Sequence, residues 1–282
     1  METERRMPIA ESIAMKGRGP SRAHRRSFTF AITCISRFMI YRDRVLGWSK
    51  SGRRRAGIDE RVSRHSIASA QSVLDAVFVE PAAGPAAAAI LLCHGIGETV
   101  EQWFGVQQLL AANGVASMVF DYAGYGKSTG RPDWDQFELD AVAAFAALEK
   151  LAPQLPLSVV GFSLGSGVAA ATISQLNARS LILCEAFTSF REAAAAAWVP
   201  RALARLVPPI WDACPPLSQC KVPVLIVHGE KDWLFPKEMA ADLAGYCNPK
   251  AEVVLVPNTA HNQPFRTPRL EYWGPVIAQA SR

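Results

Sequence analysis

Six cysteines in 282 residues, Cys34, Cys93, Cys184, Cys214, Cys220 and Cys247, lack the paired spacing of a disulfide framework or of a zinc-binding motif. That excludes a small secreted scaffold stapled by bridges. Cys93 and Cys184 lie inside apolar runs, so the thiols read as reduced core residues of a cytosolic protein, with a bridge between Cys214 and Cys220 as the alternative. Long apolar runs are also missing. In the basic N-terminal segment the uncharged stretch from Ser27 to Ser36 falls far short of the ~20 residues that span a bilayer. A transmembrane anchor is therefore not expected. No interleaving of aromatic and basic residues and no nucleic-acid motif accompanies the net charge of +5, so nucleic acid is not an expected partner.

The positive charge is confined to one end. Residues 1–65 hold 16 Lys plus Arg against 6 Asp plus Glu, and the remaining residues hold 14 against 19. This places a boundary near residue 65, between a basic N-terminal extension (1–65) and a single domain (66–282). Arg25-Arg26-Ser27-Phe28 resembles a twin-arginine export signal, but Arg37 interrupts the apolar run and no cleavage site follows. Residues 25–50 also carry Phe28, Phe30, Ile32, Ile35, Phe38 and Trp48 among arginines, the composition of a helix lying on a membrane surface. The remaining reading is a loosely ordered extension, with a later methionine such as Met39 as an alternative start. Placement is expected to be cytoplasmic, with membrane association as its alternative.

Half of the residues are apolar, enough for a sheet buried on both faces. Strands are expected at Val73–Val79, Ala88–Cys93, Val115–Asp121, Leu157–Phe162, Ser180–Cys184, Val222–His228 and Val253–Val256. Between them, Thr99–Asn113, Pro132–Leu151 and Ser163–Leu176 read as helices, the second with Trp134, Phe137, Ala141, Phe145 and Leu148 at spacings of three and four. This alternation argues an α/β fold with a parallel sheet and helices on both faces.

Gly161-Phe162-Ser163-Leu164-Gly165 sits where one such strand meets one such helix. A serine held on a sharp strand-to-helix turn has a strained backbone, so its flanks must lack bulk, and both flanks are glycine. The pattern reads as a nucleophile elbow. Its partners stand at the ends of other strands. Val222 to His228 breaks into a polar turn carrying Glu230 and Asp232, and Val253 to Val256 leads through Pro257-Asn258-Thr259-Ala260 to His261. A serine nucleophile needs such a base and an acid to orient it. Glu185, also at a strand end, competes with Asp232 for the acid.

Upstream, Cys93-His94-Gly95-Ile96-Gly97 resembles the oxyanion loop of lipases and esterases, with His94 in a structural part. Phe120-Asp121-Tyr122-Ala123-Gly124-Tyr125-Gly126-Lys127-Ser128 resembles the F-D-x-x-G-x-G-x-S turn of the same superfamily, Asp121 again being structural. With the chain order Ser163, Asp232, His261, residues 66–282 resemble an α/β-hydrolase, within its serine aminopeptidase-like and monoacylglycerol lipase-like branch. The resemblance implies a mostly parallel sheet of the eight-stranded type with a short lid, here at 186–220. It implies catalysis by Ser163, Asp232 and His261, and an oxyanion hole formed by the N–H groups of Ile96 and Leu164, with no metal or organic cofactor. The helix starting at Ser163 adds its positive end.

The lid segment is rich in aromatic residues, of which Phe187, Phe190 and Trp198 are the candidate substrate contacts for an apolar small molecule. The expected reaction is hydrolysis of a carboxylic ester or thioester through an acyl-enzyme. Two alternatives stand beside it. One is a catalytically idle hydrolase fold used as a scaffold, which the intact set of three residues disfavours. The other is a peptidase or amidase, which would require an acidic pair for an α-amino group that the sequence does not display.

Overall fold

The computed structural model of the protein describes residues 60–196 and 210–282. Eight strands are connected in chain order: β1 (Glu60–Ser69), β2 (Ser72–Pro81), β3 (Ala88–Cys93), β4 (Val115–Phe120), β5 (Leu157–Phe162), β6 (Ser180–Cys184), β7 (Val224–Gly229) and β8 (Glu252–Val256). They form one sheet in the order β1-β2-β4-β3-β5-β6-β7-β8. Strands β3 to β8 pair in parallel, whereas β2 runs antiparallel to both β1 and β4. Every residue of β3, β4, β5 and β6 is buried, as both faces of a parallel sheet require.

Helices cover the two faces separately. On one side lie α1 (Val100–Ala112) and the C-terminal α8 (Leu270–Ala280), whose Trp103 and Trp273 meet edge to face over Val160 and Phe162. On the other lie α2 (Trp134–Leu151), α3 (Leu164–Thr172) and α6 (Glu238–Tyr246), with Phe137, Ala169 and Leu243 in a second core. Three short helices complete the described part: α4 (Phe190–Ala196), α5 (Cys214–Ser218) and α7 (Gln263–Arg266). Because β4 and β5 flank β3 on opposite sides, the chain changes direction across the sheet there. Open α/β sheets place ligands at such a switch point, beyond the strands' C-terminal ends.

The domain boundary moves upstream of its expected place. β1 begins at Glu60 and pairs along its whole length with β2, from Glu60 opposite Pro81 to Ser69 opposite Ser72, so residues 60–65 are part of the sheet. Periodicity misses this strand because it is an edge: its Arg61, Ser63 and Arg64 are exposed polar residues, which protect an edge against stray pairing. Arg64 ties it down through Asp75 at 2.8 Å and Glu101 at 2.7 Å. The export, membrane-surface and late-start readings concern residues outside the described range. Among the described residues no helix is long and apolar enough to cross a membrane. Five cysteines, Cys93, Cys184, Cys214, Cys220 and Cys247, are free thiols, so the bridge between Cys214 and Cys220 does not form.

Candidate active site

Ser163 has φ 51° and ψ −118° at the junction of β5 and α3, a conformation that costs a non-glycine residue roughly 1–3 kcal/mol. The surrounding glycines make it attainable. A Cβ placed on Gly161 would come within 2.6 Å of the Ser166 Cα, and one on Gly165 within 2.8 Å of the His94 carbonyl oxygen. The turn therefore lets helix α3 press against both β5 and the end of β3. Ser163 N–H donates to the Cys184 carbonyl at 3.0 Å, and the Ser163 carbonyl accepts Ser166 Oγ–H at 2.6 Å.

His261 and Asp232 converge on this serine from the loops after β8 and β7. Those loops are stitched together: Glu230 N–H donates to the Val256 carbonyl at 3.0 Å and Lys231 N–H to the Thr259 carbonyl at 2.9 Å. His261 Nε2 lies 2.9 Å from Ser163 Oγ and Nδ1 lies 2.7 Å from Asp232 Oδ2. With Nδ1–H donated to the carboxylate, Nε2 is left as the acceptor for the Ser163 hydroxyl proton. The other Asp232 oxygen accepts the N–H groups of Leu234 at 2.7 Å and Phe235 at 3.0 Å. Burial pushes this carboxyl up, but the hydrogen bond and charge of His261 outweigh it and hold Asp232 down at about 2. Asp232 is thus ionised wherever the imidazole is functional.

The loop after β3 carries Ile96, half-buried, beside the first turn of α3. Leu164 opens that helix, so its N–H is one of the amides without an intrahelical acceptor. Glu98 braces the loop from beneath: its Oε2 accepts Gly95 N–H at 2.7 Å and Trp103 Nε1–H at 2.9 Å. His94 is fully buried, donates Nδ1–H to the Gly95 carbonyl at 2.9 Å and meets Tyr122 edge-on. Burial drives its pKa down to about 4, so it stays neutral, a structural imidazole. Asp121 caps α1 by accepting Val100 N–H at 2.9 Å and also accepts Lys127 N–H at 3.1 Å. Neither residue reaches Ser163.

Of the candidate substrate contacts, Phe187 is only 2% exposed and packs edge-on against Phe235, whose ring lies 5.1 Å from that of His261. Phe190 is half-buried and meets Trp211 edge to face. Trp198 lies outside the described residues. The two flanks of the lid segment meet in a neck, where Phe190 N–H donates to the Ile210 carbonyl at 3.3 Å and Ala213 N–H to the Thr188 carbonyl at 2.9 Å. Sequence reasoning missed Glu98, Phe235 and His228. Their partners are backbone groups and rings brought together by folding, so only an acid directly after the His-Gly-x-Gly turn hinted at the first.

Glu185, the rival acid, does not bond to His261; its Oε1 accepts Gly229 N–H at 2.9 Å. Glu185, His228 and Asp232 form the one cluster of metal-ligating side chains among the described residues, their ligand atoms lying within 4.8 Å of one another. Since one Asp232 oxygen serves His261 and the other serves two backbone amides, the cluster reads as a polar array behind the Asp232–His261 pair.

A family model described as serine aminopeptidase, S33, matches residues 84–216. An uncharacterized protein of Mycobacterium tuberculosis is 29% identical over 185 residues, 64% of this chain and 65% of that protein. The lysophosphatidylserine lipase ABHD12 of Gallus gallus is 32% identical over 127 residues, 43% of this chain and 33% of the lipase. The chain thus spans just under two-thirds of the mycobacterial relative and a third of the lipase. In architecture it is similar to the Pyrococcus furiosus esterase Pf2001, with a TM-score of 0.64 at 18% identity, over 78% of this chain and 91% of the esterase. The sheet order, the elbow, the three strand-end residues and the family match agree, and the chain has the α/β-hydrolase fold.

Proposed function

We propose that the protein is a serine-dependent hydrolase of carboxylic esters or thioesters with an apolar acyl or alcohol part. The observation that carries this reading is the continuous relay from Ser163 Oγ through His261 to Asp232, at 2.9 and 2.7 Å. Ser163 Oγ attacks the carbonyl carbon while its proton passes to His261 Nε2, and Asp232 stabilises the imidazolium. The oxyanion is held by the N–H groups of Ile96 and Leu164, with the positive end of α3 behind them. Collapse expels the alcohol or thiol, which takes its proton from His261. Water, deprotonated by the same imidazole, then attacks the acyl-enzyme carbonyl and releases the acid and Ser163.

The apolar preference is supported by the rings around the site. Phe235 borders His261, Phe190 and Trp211 form the neck of the lid, and Trp233, 54% exposed, stands edge-on to the His261 ring. A relative named for lysophosphatidylserine hydrolysis makes a single-chain lipid ester the first substrate class to try. Phe190 and Trp198 remain the proposed acyl contacts, and peripheral membrane contact through residues 25–50 would bring such a substrate to the site.

Intact-mass analysis after reaction with a fluorophosphonate tests the proposal. One adduct on the wild type and none on Ser163→Ala is the expected result, followed by turnover of acyl esters. A folded wild type that takes no adduct would point instead to a hydrolase fold serving as a scaffold.

A further inference from the structure

Behind Asp232 lies a second carboxyl group that the reaction described above does not use. Glu185 directly follows β6 and is non-glycine at φ 45°, an unfavourable backbone state that persists only where its surroundings demand it. Its side chain is fully buried, as are those of His228 and Asp232. With Oε1 taken by Gly229 N–H, Oε2 has no hydrogen-bond partner. It lies 3.8 Å from His228 Nε2, in the cluster whose ligand atoms, one from Asp232 included, fall within 4.8 Å of one another. No lysine or arginine among the described residues forms an ion pair with either carboxyl. His228 supplies no charge: burial lowers its pKa, and its Nε2–H donates to the Phe235 carbonyl at 3.1 Å. The other titratable groups against Glu185 are Cys184 and Tyr272, both held neutral by burial.

Two buried carboxylates this close, with no cation between them, do not both ionise. Asp232 is the one stabilised as an anion, by two backbone amides and His261. Building on the hydrolase reading, we propose that Glu185 is a positioning residue: it remains an uncharged carboxylic acid whose Oε2–H is directed at the Asp232 carboxylate, holding it in the orientation that His261 requires. The single negative charge beneath the imidazole then stays on Asp232. Burial first, and the neighbouring Asp232 carboxyl second, push the Glu185 carboxyl far above the ordinary range, in keeping with this arrangement.

Glu185→Gln keeps the shape, the acceptor for Gly229 and a neutral donor, whereas Glu185→Leu removes both polar functions. Denaturant unfolding of the full chain and of Glu185→Gln between pH 5 and 8 reads the protonation state without any turnover. An acid that stays protonated only in the native state makes the wild-type unfolding constant rise about tenfold per pH unit relative to the Gln variant. A ratio that is flat with pH means Glu185 is ionised in the fold and overturns the proposal. In ester hydrolysis, Glu185→Gln is expected to keep the pH profile of kcat/KM. Glu185→Leu is expected to lose about tenfold or more in kcat at constant KM. Full kcat in a folded Glu185→Leu, or an altered profile in Glu185→Gln, overturns the positioning role. Should Glu185→Leu not fold, the unfolding ratio and the Gln profile still decide. A wild type inert toward esters counts against the hydrolase reading, while the unfolding ratio bears on Glu185 alone.

Discussion

Two adjacent strands, β5 and β6, end in non-glycine residues with positive φ, Ser163 at 51° and Glu185 at 45°, yet the two strained positions are built differently. Around Ser163 the chain is stripped of bulk: Gly161, Gly165 and Gly167 leave room for a helix to begin at once, and the hydroxyl is delivered to the histidine. Around Glu185 there is no such run of small residues. There the strain is held by the backbone, with Glu185 N–H donating to the Val227 carbonyl at 3.1 Å, and by the carboxyl's bond to Gly229 N–H. One strained turn presents a nucleophile and the other buries an acid beneath the residue that orients the base. Strained backbone occurs at both of these strand ends, and the local sequence decides how each strained residue is used.

The sharpest way to break the comparison is at the nucleophile. Ser163→Ala should cost about a millionfold in kcat and abolish the fluorophosphonate adduct while leaving the melting temperature nearly unchanged. A variant that kept its turnover would remove the functional half of the contrast.

Next in size is the steric half. Gly165→Ala would drive a methyl group into the backbone carbonyls at the end of β3, and since these cannot yield as a flexible side chain would, a loss of about 3 kcal/mol is expected in urea unfolding. Glu185 has no glycine flanking it in the chain as Gly161 and Gly165 flank Ser163.

The buried histidine at the end of β3 gives a pH test with a definite sign. His94 stays neutral in the native state down to about 4, while in the unfolded chain it protonates near 6.5. Its contribution is complete above pH 6.5 and is lost as the pH falls toward 4, by up to about 3 kcal/mol. Glu185 acts in the opposite direction, weakening the fold as the pH rises above its unfolded value. His94→Asn, which keeps a donor but does not titrate, should flatten the acid limb of stability against pH, whereas Glu185→Gln should flatten the alkaline limb.

Smallest is a control away from both turns. Gly245, in α6, has nothing within 4 Å of a placed Cβ, so Gly245→Ala should stabilise by about 0.5–1 kcal/mol through helix propensity and the unfolded state. Activity should not change. A loss here would mean that glycine counts for more in this domain than local sterics explain.

Much of this molecule is legible along the chain. The boundaries of β3, β5 and β6 coincide with their apolar runs, because a strand buried on both faces must be apolar throughout. The expected helix Ser163–Leu176 is shorter in the structure, Leu164–Thr172 with a single 3₁₀ turn at Ile173–Gln175. Edge strand β1 escaped notice because an edge exposes one face and carries charge instead. Ser163, Asp232 and His261 were readable because each stands just past a strand end in a spacing that its chemistry demands, and the structure brings these three together. The lid contributed composition alone.

The sequence by itself determined which residues sit at the strand ends, and the glycine pattern that permits the Ser163 turn, since both follow from local sterics and short-range periodicity. Only the tertiary structure decided which ends become neighbours. Ser163 and His261 are 98 residues apart in the chain, and they meet because the sheet order carries β5, β6, β7 and β8 side by side. That same order sets Glu185 behind Asp232 and Glu98 beneath the loop after β3. Carboxyl groups at such places are ordinary residues along the chain, and their protonation and role arise from the company that burial forces on them.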